Sequence, residues 1–273
     1  MAARSWGRVA VPVLWLKVAA TPLLMVLVSL AGRRFGHGVG GWLTGLPLTS
    51  GPVSLFLAVE QGPAFARDAA PGMLAGFLAF LAFLAAVAWA APRSGWRGTL
   101  AAGLAAFAVV ELPLLWVRLP LWVGFAAAVL AVAALLAALR HRPATVAAPP
   151  PPRWDLPVRA LCATAMVVGV TGLAAWLGPH AAGLLSPLPA FASVVVGFTH
   201  SHAGGAAARE VARGIAAGAF SFAAFFLVVG LVAGSWGLLA TYGAASAAAL
   251  LCNAATLRLA RAPAGAPAPA DLP

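Results

Sequence analysis

Apolar residues run along this chain in long blocks, at 10–32, 38–59, 72–92, 99–116, 120–139, 156–177, 182–199, 214–233 and 236–257. Short stretches holding most of the arginines and acids separate them. Most blocks have the roughly 18–23 residues a helix needs to cross about 30 Å of hydrocarbon. They are rich in Ala and Leu and lack period-two alternation, so they read as helices and not as barrel strands. The pattern predicts an all-α polytopic membrane protein with about nine transmembrane helices.

A repeat organises the blocks. Sliding the sequence by 142 positions aligns 41–85 with 183–227 without a gap and gives 17 identities in 45, where an Ala-rich composition would give roughly four. Matches include Gly41 with Gly183, Pro47 with Pro189, Phe56 with Phe198 and Arg67 with Arg209. Lys17 falls on Arg159 at the same offset, so the first block has a counterpart deep in the chain and reads as retained structure, not a cleaved leader. Each repeat takes four blocks, and the block at 120–139 has no partner. An odd number of crossings then separates equivalent points. The expected architecture is therefore two inverted four-helix repeats joined by a linker helix (4+1+4). Its parts are a first repeat at 1–118, a linker helix at 119–140, a Pro/Arg-rich loop at 141–153, a second repeat at 154–258 and a disordered tail at 259–273.

Composition excludes a water-soluble domain. The chain is 63% hydrophobic and 8% charged, with a mean hydropathy of +0.97, whereas a soluble domain is about a quarter charged. The net charge of +11 would suggest nucleic acid in a soluble protein. Here the arginines sit at span ends, with no basic stretch interleaved with stacking aromatics, so the expected partner is the lipid bilayer and not nucleic acid. With the N-terminus outside, one face carries Arg33, Arg34, Arg93, Arg97, Arg140, Arg142, Arg153, Arg209, Arg213, Arg258 and Arg261, and the other Arg4, Arg8, Arg67 and Arg118. That asymmetry favours N-terminus out and C-terminus cytoplasmic. A single kinked span over 99–140 would instead make the repeats parallel; Glu111, Pro113, Arg118 and Pro120 cluster where a turn would divide it. Cys162 and Cys252 lie inside apolar blocks and read as small buried hydrophobes.

Candidate chemistry falls into three groups. GLPLTSGP at 45–52 and SPLPAFAS at 186–193 interrupt equivalent spans. Such breaks free backbone groups that hydrocarbon tolerates only inside protein or beside a wet cavity, and paired breaks point to a transporter's central site. Pro47, Thr49, Ser50, Pro52, Pro187, Pro189 and Ser193 thus mark a candidate substrate or ion path, simple kinks being the other reading. Gly72, Gly76, Phe80 and Phe83 form one helical stripe, repeated as Gly214, Gly218, Phe222 and Phe225; small residues four apart suit a close crossing of the third and eighth spans. Among ionisable residues, Lys17, Arg159, Glu60, His200 and His202 are gating or interfacial candidates. Glu111, with apolar or small residues before it and a proline two positions on, joins the candidate path as a carboxyl able to exchange a proton, with Arg118 as the alternative structural partner.

Lys17 in LWLKVAA, GLPLTSGPVSLFLAVEQG at 45–62, Arg159 and GLLSPLPAFASVVVGFTHSHAG at 183–204 give each half a further likeness. Each resembles the GlpM-like family of small four-helix bacterial inner-membrane proteins. The resemblance implies a four-helix unit in the bacterial cytoplasmic (inner) membrane and supplies no substrate and no catalytic residues. The fusion, the unpaired fifth span and arginine at 159 depart from the family pattern. The 4+1+4 layout also looks like fused dual-topology channels and exporters, without the Thr-rich motif of the fluoride channels.

No G-x-S-x-G, HExxH or P-loop occurs, and the two histidines of THSH at 199–202 are too few for a metal site. Neither an enzyme nor a cofactor or metal is expected. The sequence reads as a pseudo-symmetric transporter or channel for a small solute or ion, with a non-transporting membrane scaffold or assembly partner in envelope biogenesis as the alternative. Substrate, coupling ion and oligomeric state are not encoded in these patterns.

Overall fold

The computed structural model of the chain describes residues 45–139 and 154–260, with isolated positions 19, 23 and 26 before them. The first span with Lys17, the start of the second span, the loop at 140–153 and the tail from 261 lie outside the described residues, as do the side chains of Arg159 and Cys162. The described chain is helical, with no strand. Its elements are α1 (Ser50–Glu60), α2 (Pro63–Ala90), α3 (Trp96–Leu114), α4 (Leu121–Ala138), α5 (Asp155–Leu185), α6 (Ala190–Gly218), α7 (Phe220–Val232) and α8 (Leu238–Ala260). Among the described residues, five helical stretches, 63–90, 96–114, 121–138, 168–232 and 238–256, are long and apolar enough to cross a membrane.

α2 is the central helix. It touches α1 and α3 to α7, and its buried residues lie all round it, from Ala66 to Ala90. α3 and α4 each bury a single stripe, Thr99, Gly103, Phe107 and Glu111 on one and Gly124, Ala128, Val132 and Leu135 on the other. Their remaining faces present large apolar side chains such as Leu104, Val109 and Leu130 to the surroundings, the outward face a helix shows to lipid. Exposed Trp89, Trp96, Trp116, Trp122 and Trp236 stand at helix ends, where amphipathic rings favour the membrane interface. The Arg93 and Arg97 guanidinium groups lie over the Trp89 and Trp96 rings, 4.9 and 5.2 Å from the centroids.

The same local backbone recurs 142 residues apart. Leu48 N–H donates to the Leu46 carbonyl and Gly51 N–H to the Pro47 carbonyl; Ala190 N–H donates to Leu188 and Ser193 N–H to Pro189. Each segment is thus a tight turn about a proline followed directly by a helix start, which the fixed φ of proline favours. Gly62 (φ 95) and Gly204 (φ 81) both take the left-handed backbone that a side chain would disfavour. The former separates α1 from α2 and the latter kinks α6. Turns at 91–95 and 233–237 close with matching bonds, Arg93 and Ser94 N–H to Ala90, and Ser235 and Trp236 N–H to Val232.

Long-range contacts are reciprocal at this offset. A Cβ on Gly76 would strike the Leu184 carbonyl and come 2.9 Å from Pro187, and one on Gly45 would lie 2.6 Å from Gly218 Cα. Arg209 Nη1 donates to the Ala88 carbonyl (3.0 Å) next to the turn at 91–95, and Arg67 lies against Gly234 in the turn at 233–237. These contacts define two ends of the bundle. Arg93, Arg97 and Arg209 gather at one end, together with Arg213, whose Nε donates to the Leu139 carbonyl; Arg67 and the turn at 233–237 lie at the other. The glycine stripe differs from the expected crossing. Gly72 and Gly76 approach 180–187 of α5 and the following turn, while Gly218 approaches Gly45, so each stripe packs on the segment leading into the other half's break. The phenylalanines do link α2 to α7, with Phe77 stacked on Phe222 at 4.2 Å.

Candidate functional site

The two proline turns meet at one cleft. Gly45, Leu46, Pro47, Leu48, Thr49 and Ser50 form one wall, Pro187, Leu188, Phe191 and Ala192 another, and Phe77, Phe80 and Phe222 a third. Five pairs of lining positions, 45 with 187, 46 with 188, 49 with 191, 50 with 192 and 80 with 222, stand 142 residues apart. The cleft spans about 450 Å³ when the part open to its surroundings is counted, but only about 40 Å³ of it admits the centre of a water-sized sphere, room for a few waters.

Proline and glycine explain why the cleft exists. The turns interrupt the helical ladder and leave chain ends that side chains from the opposite half partly satisfy. Ser50 Oγ donates to the Ser186 carbonyl at 2.9 Å, and Ser221 Oγ lies 3.3 Å from the Gly45 carbonyl and 2.6 Å from that of Gly218. Ser54 Oγ and Tyr242 Oη are 2.8 Å apart across α1 and α8. Among the described residues the lining carries no charged side chain, and its side-chain hydroxyls are those of Thr49 and Ser50. Such a cleft has room for a few waters between phenyl rings and two hydroxyls.

The structure brings Pro47, Thr49, Ser50 and Pro187 of the expected path together, along with Phe80 and Phe222 of the packing stripe. Pro52 occupies the first turn of α1, where a missing N–H costs nothing, and Pro189 precedes α6; both flank the cleft. Ser193 lies beyond it with its hydroxyl buried and unpartnered, as is that of Ser186. Phe83 and Phe225 are buried in the core, and Gly214 is buried within α6. Glu60 ends α1 and His202 is exposed near the equivalent end of the first part of α6, its Nδ1 2.9 Å from Ser201 Oγ and 3.0 Å from the Phe198 carbonyl. His200 is buried.

Glu111 is not part of the cleft lining. It sits on the buried stripe of α3, and neither carboxyl oxygen has a hydrogen-bond partner among the described residues. Arg118 is exposed beyond the helix end, and no ion pair joins the two. Near that end, His180 Nε2 lies 3.0 Å from the Leu114 carbonyl.

Sequence reasoning missed Phe77, Leu46, Leu48, Leu188, Phe191 and Ala192 as lining. The offset of 142 would have found Phe191 and Ala192, the counterparts of Thr49 and Ser50; Phe77 carries no signal beyond an aromatic one turn before Phe80. The chain matches no family model, no curated protein and no solved structure.

Proposed function

We propose that the protein is a pseudo-symmetric membrane transporter or channel for a small solute or ion, whose path runs through the cleft between the two proline turns. The observation that carries this reading is the pairing of the cleft's lining, in which equivalent positions of the two halves converge on one space. The recurrent turns, the left-handed glycines and the reciprocal contacts support two four-helix repeats related by a pseudo-two-fold axis, with α4 as the linker helix. Reciprocal contact between equivalent surfaces is the signature of a two-fold relation. The gathering of Arg93, Arg97, Arg209 and Arg213 at one end of the bundle supports placing that end in the cytoplasm. The C-terminus would then be cytoplasmic and the N-terminus outside. The bacterial inner membrane and the GlpM-like relationship belong to the same reading and rest on the motifs at 45–62 and 183–204.

Wetness tests it. With Cys162 and Cys252 replaced by Ala, single cysteines at position 49 and at its equivalent 191 should react with a membrane-impermeant thiol reagent, and wild-type protein in liposomes should pass small solutes that Thr49→Trp blocks. If both cysteines stay unreactive, the cleft is dry and the scaffold reading takes its place.

A further inference from the structure

α3 and α8 start after equivalent glycines, Gly95 and Gly237, and bury equivalent stripes. On α3 the stripe is Thr99, Gly103, Phe107 and Glu111; on α8, Thr241, Ala245, Ala249 and Asn253 are buried, each 142 residues from its counterpart. Residues four apart share a helix face, so the Glu111 carboxyl and the Asn253 carboxamide occupy the same place, about 18 Å along the helix from the threonine. They are 5% and 2% exposed. Both Glu111 carboxyl oxygens lack a partner, and so do Asn253 Oδ1 and Thr241 Oγ1.

A buried polar atom without a partner is costly, and more so where the surroundings are hydrocarbon. Its recurrence at equivalent places makes it a feature of the repeat, not of one side chain. What differs is charge. A carboxamide is neutral, whereas a carboxylate inside a membrane protein needs a positive partner. Around Glu111, α2 carries no ionisable residue between Asp68 and Ala90, and α4 carries none. The first part of α6 brings His200 and His202, but it meets α3 near Leu100, at the opposite end from Glu111; Arg209, Glu210 and Arg213 follow beyond them. α5 brings His180, one turn on, with its Nε2 on the Leu114 carbonyl.

We propose that Glu111 is a binding site for one monovalent cation, a proton or a sodium-sized metal ion, and that Asn253 is its neutral counterpart in the second half. A single carboxylate matches a single positive charge, whereas a divalent ion would call for further carboxylate ligands. One chain therefore takes up one cation at one of two equivalent positions. The inference is independent of the cleft, since Glu111 lies outside its lining and cation uptake is measurable without transport.

Infrared difference spectroscopy on the purified full-length chain tests it, comparing acid with alkaline pH in choline chloride, and choline chloride with sodium chloride at fixed pH. Beyond the signals of the other five acidic side chains and the C-terminus, wild type should show one carboxyl signal that Glu111→Gln removes. Its response to pH alone identifies a proton; a response to sodium at fixed pH identifies a metal ion. Asn253→Glu, or the smaller Asn253→Asp, should add a second signal of the same kind. In parallel, the wild-type melting temperature should depend on the cation, because a ligand that binds the folded state stabilises it. Glu111→Asp should keep that dependence and Glu111→Gln should lose it. A cation-dependent spectrum and melting temperature identical in wild type and Glu111→Gln would overturn the proposal.

Discussion

The two proline turns share a backbone and differ in what they present. Each holds the same pair of main-chain hydrogen bonds about Pro47 or Pro189, yet the first offers Thr49 and Ser50 where the second offers Phe191 and Ala192. One wall of the cleft is hydroxylic and the other apolar. The difference shows which part of the sequence carries which constraint. Main-chain geometry is held by proline and by glycines at close crossings, so it is the same in the two turns, while the lining side chains beside them are free to differ.

The largest test of that comparison is topology. If the halves are inverted copies, a reporter fused after residue 273 should be cytoplasmic and one inserted beside Arg67 external, an all-or-none readout. Cytoplasmic signal at both positions would make the halves parallel.

Next in size is the crossing that brings each half onto the other's turn. Gly76→Leu forces a side chain into the Leu184 carbonyl, and overpacking of this kind costs about 1–3 kcal/mol or more, so folded yield should fall severalfold. Gly243 on α8 has nothing within 4 Å of its Cβ position, and Gly243→Leu should keep wild-type yield. Equal yields of the two variants would remove the close crossing from the account.

Exchanging side chains between the two walls should have a smaller effect. Thr49→Phe gives the first turn the side chain of the second; it should fold normally, since Thr49 borders open space, and should lower liposome flux severalfold. Phe191→Thr should leave the cleft wider and raise flux. Unchanged flux in both would place the path elsewhere.

Much of this was legible in the sequence, for physical reasons that also mark where legibility ends. Helices of spanning length follow from unbroken apolar runs, and the turns at 45–50 and 186–190 from prolines that cannot continue a helix. The partner of the glycine stripe was not legible. Small residues at 72 and 76 say that something comes close, but only the fold places 180–187 there. Glu111 stood out by its charge. Asn253 did not, because a lone Asn near a helix end has many ordinary roles, and its meaning comes from the unpartnered oxygen it shares with Glu111.

The smallest predicted effect concerns a side-chain bond that joins α1 to α8. Ser54 is fully buried and its hydroxyl lies 2.8 Å from Tyr242 Oη. Position 54 corresponds to Val196 and position 242 to Leu100, so the second half has no such bond, and this pair distinguishes the halves by polarity at a place where both are packed. Hydrogen bonds between membrane helices average about 0.6 kcal/mol. Ser54→Ala and Tyr242→Phe should therefore each lower the unfolding free energy by about that much, and the double variant by little more than either alone. A double-mutant cycle on purified protein reads the coupling directly. Additive losses would mean that the two hydroxyls act separately, leaving the α1–α8 contact to apolar packing as in the other half.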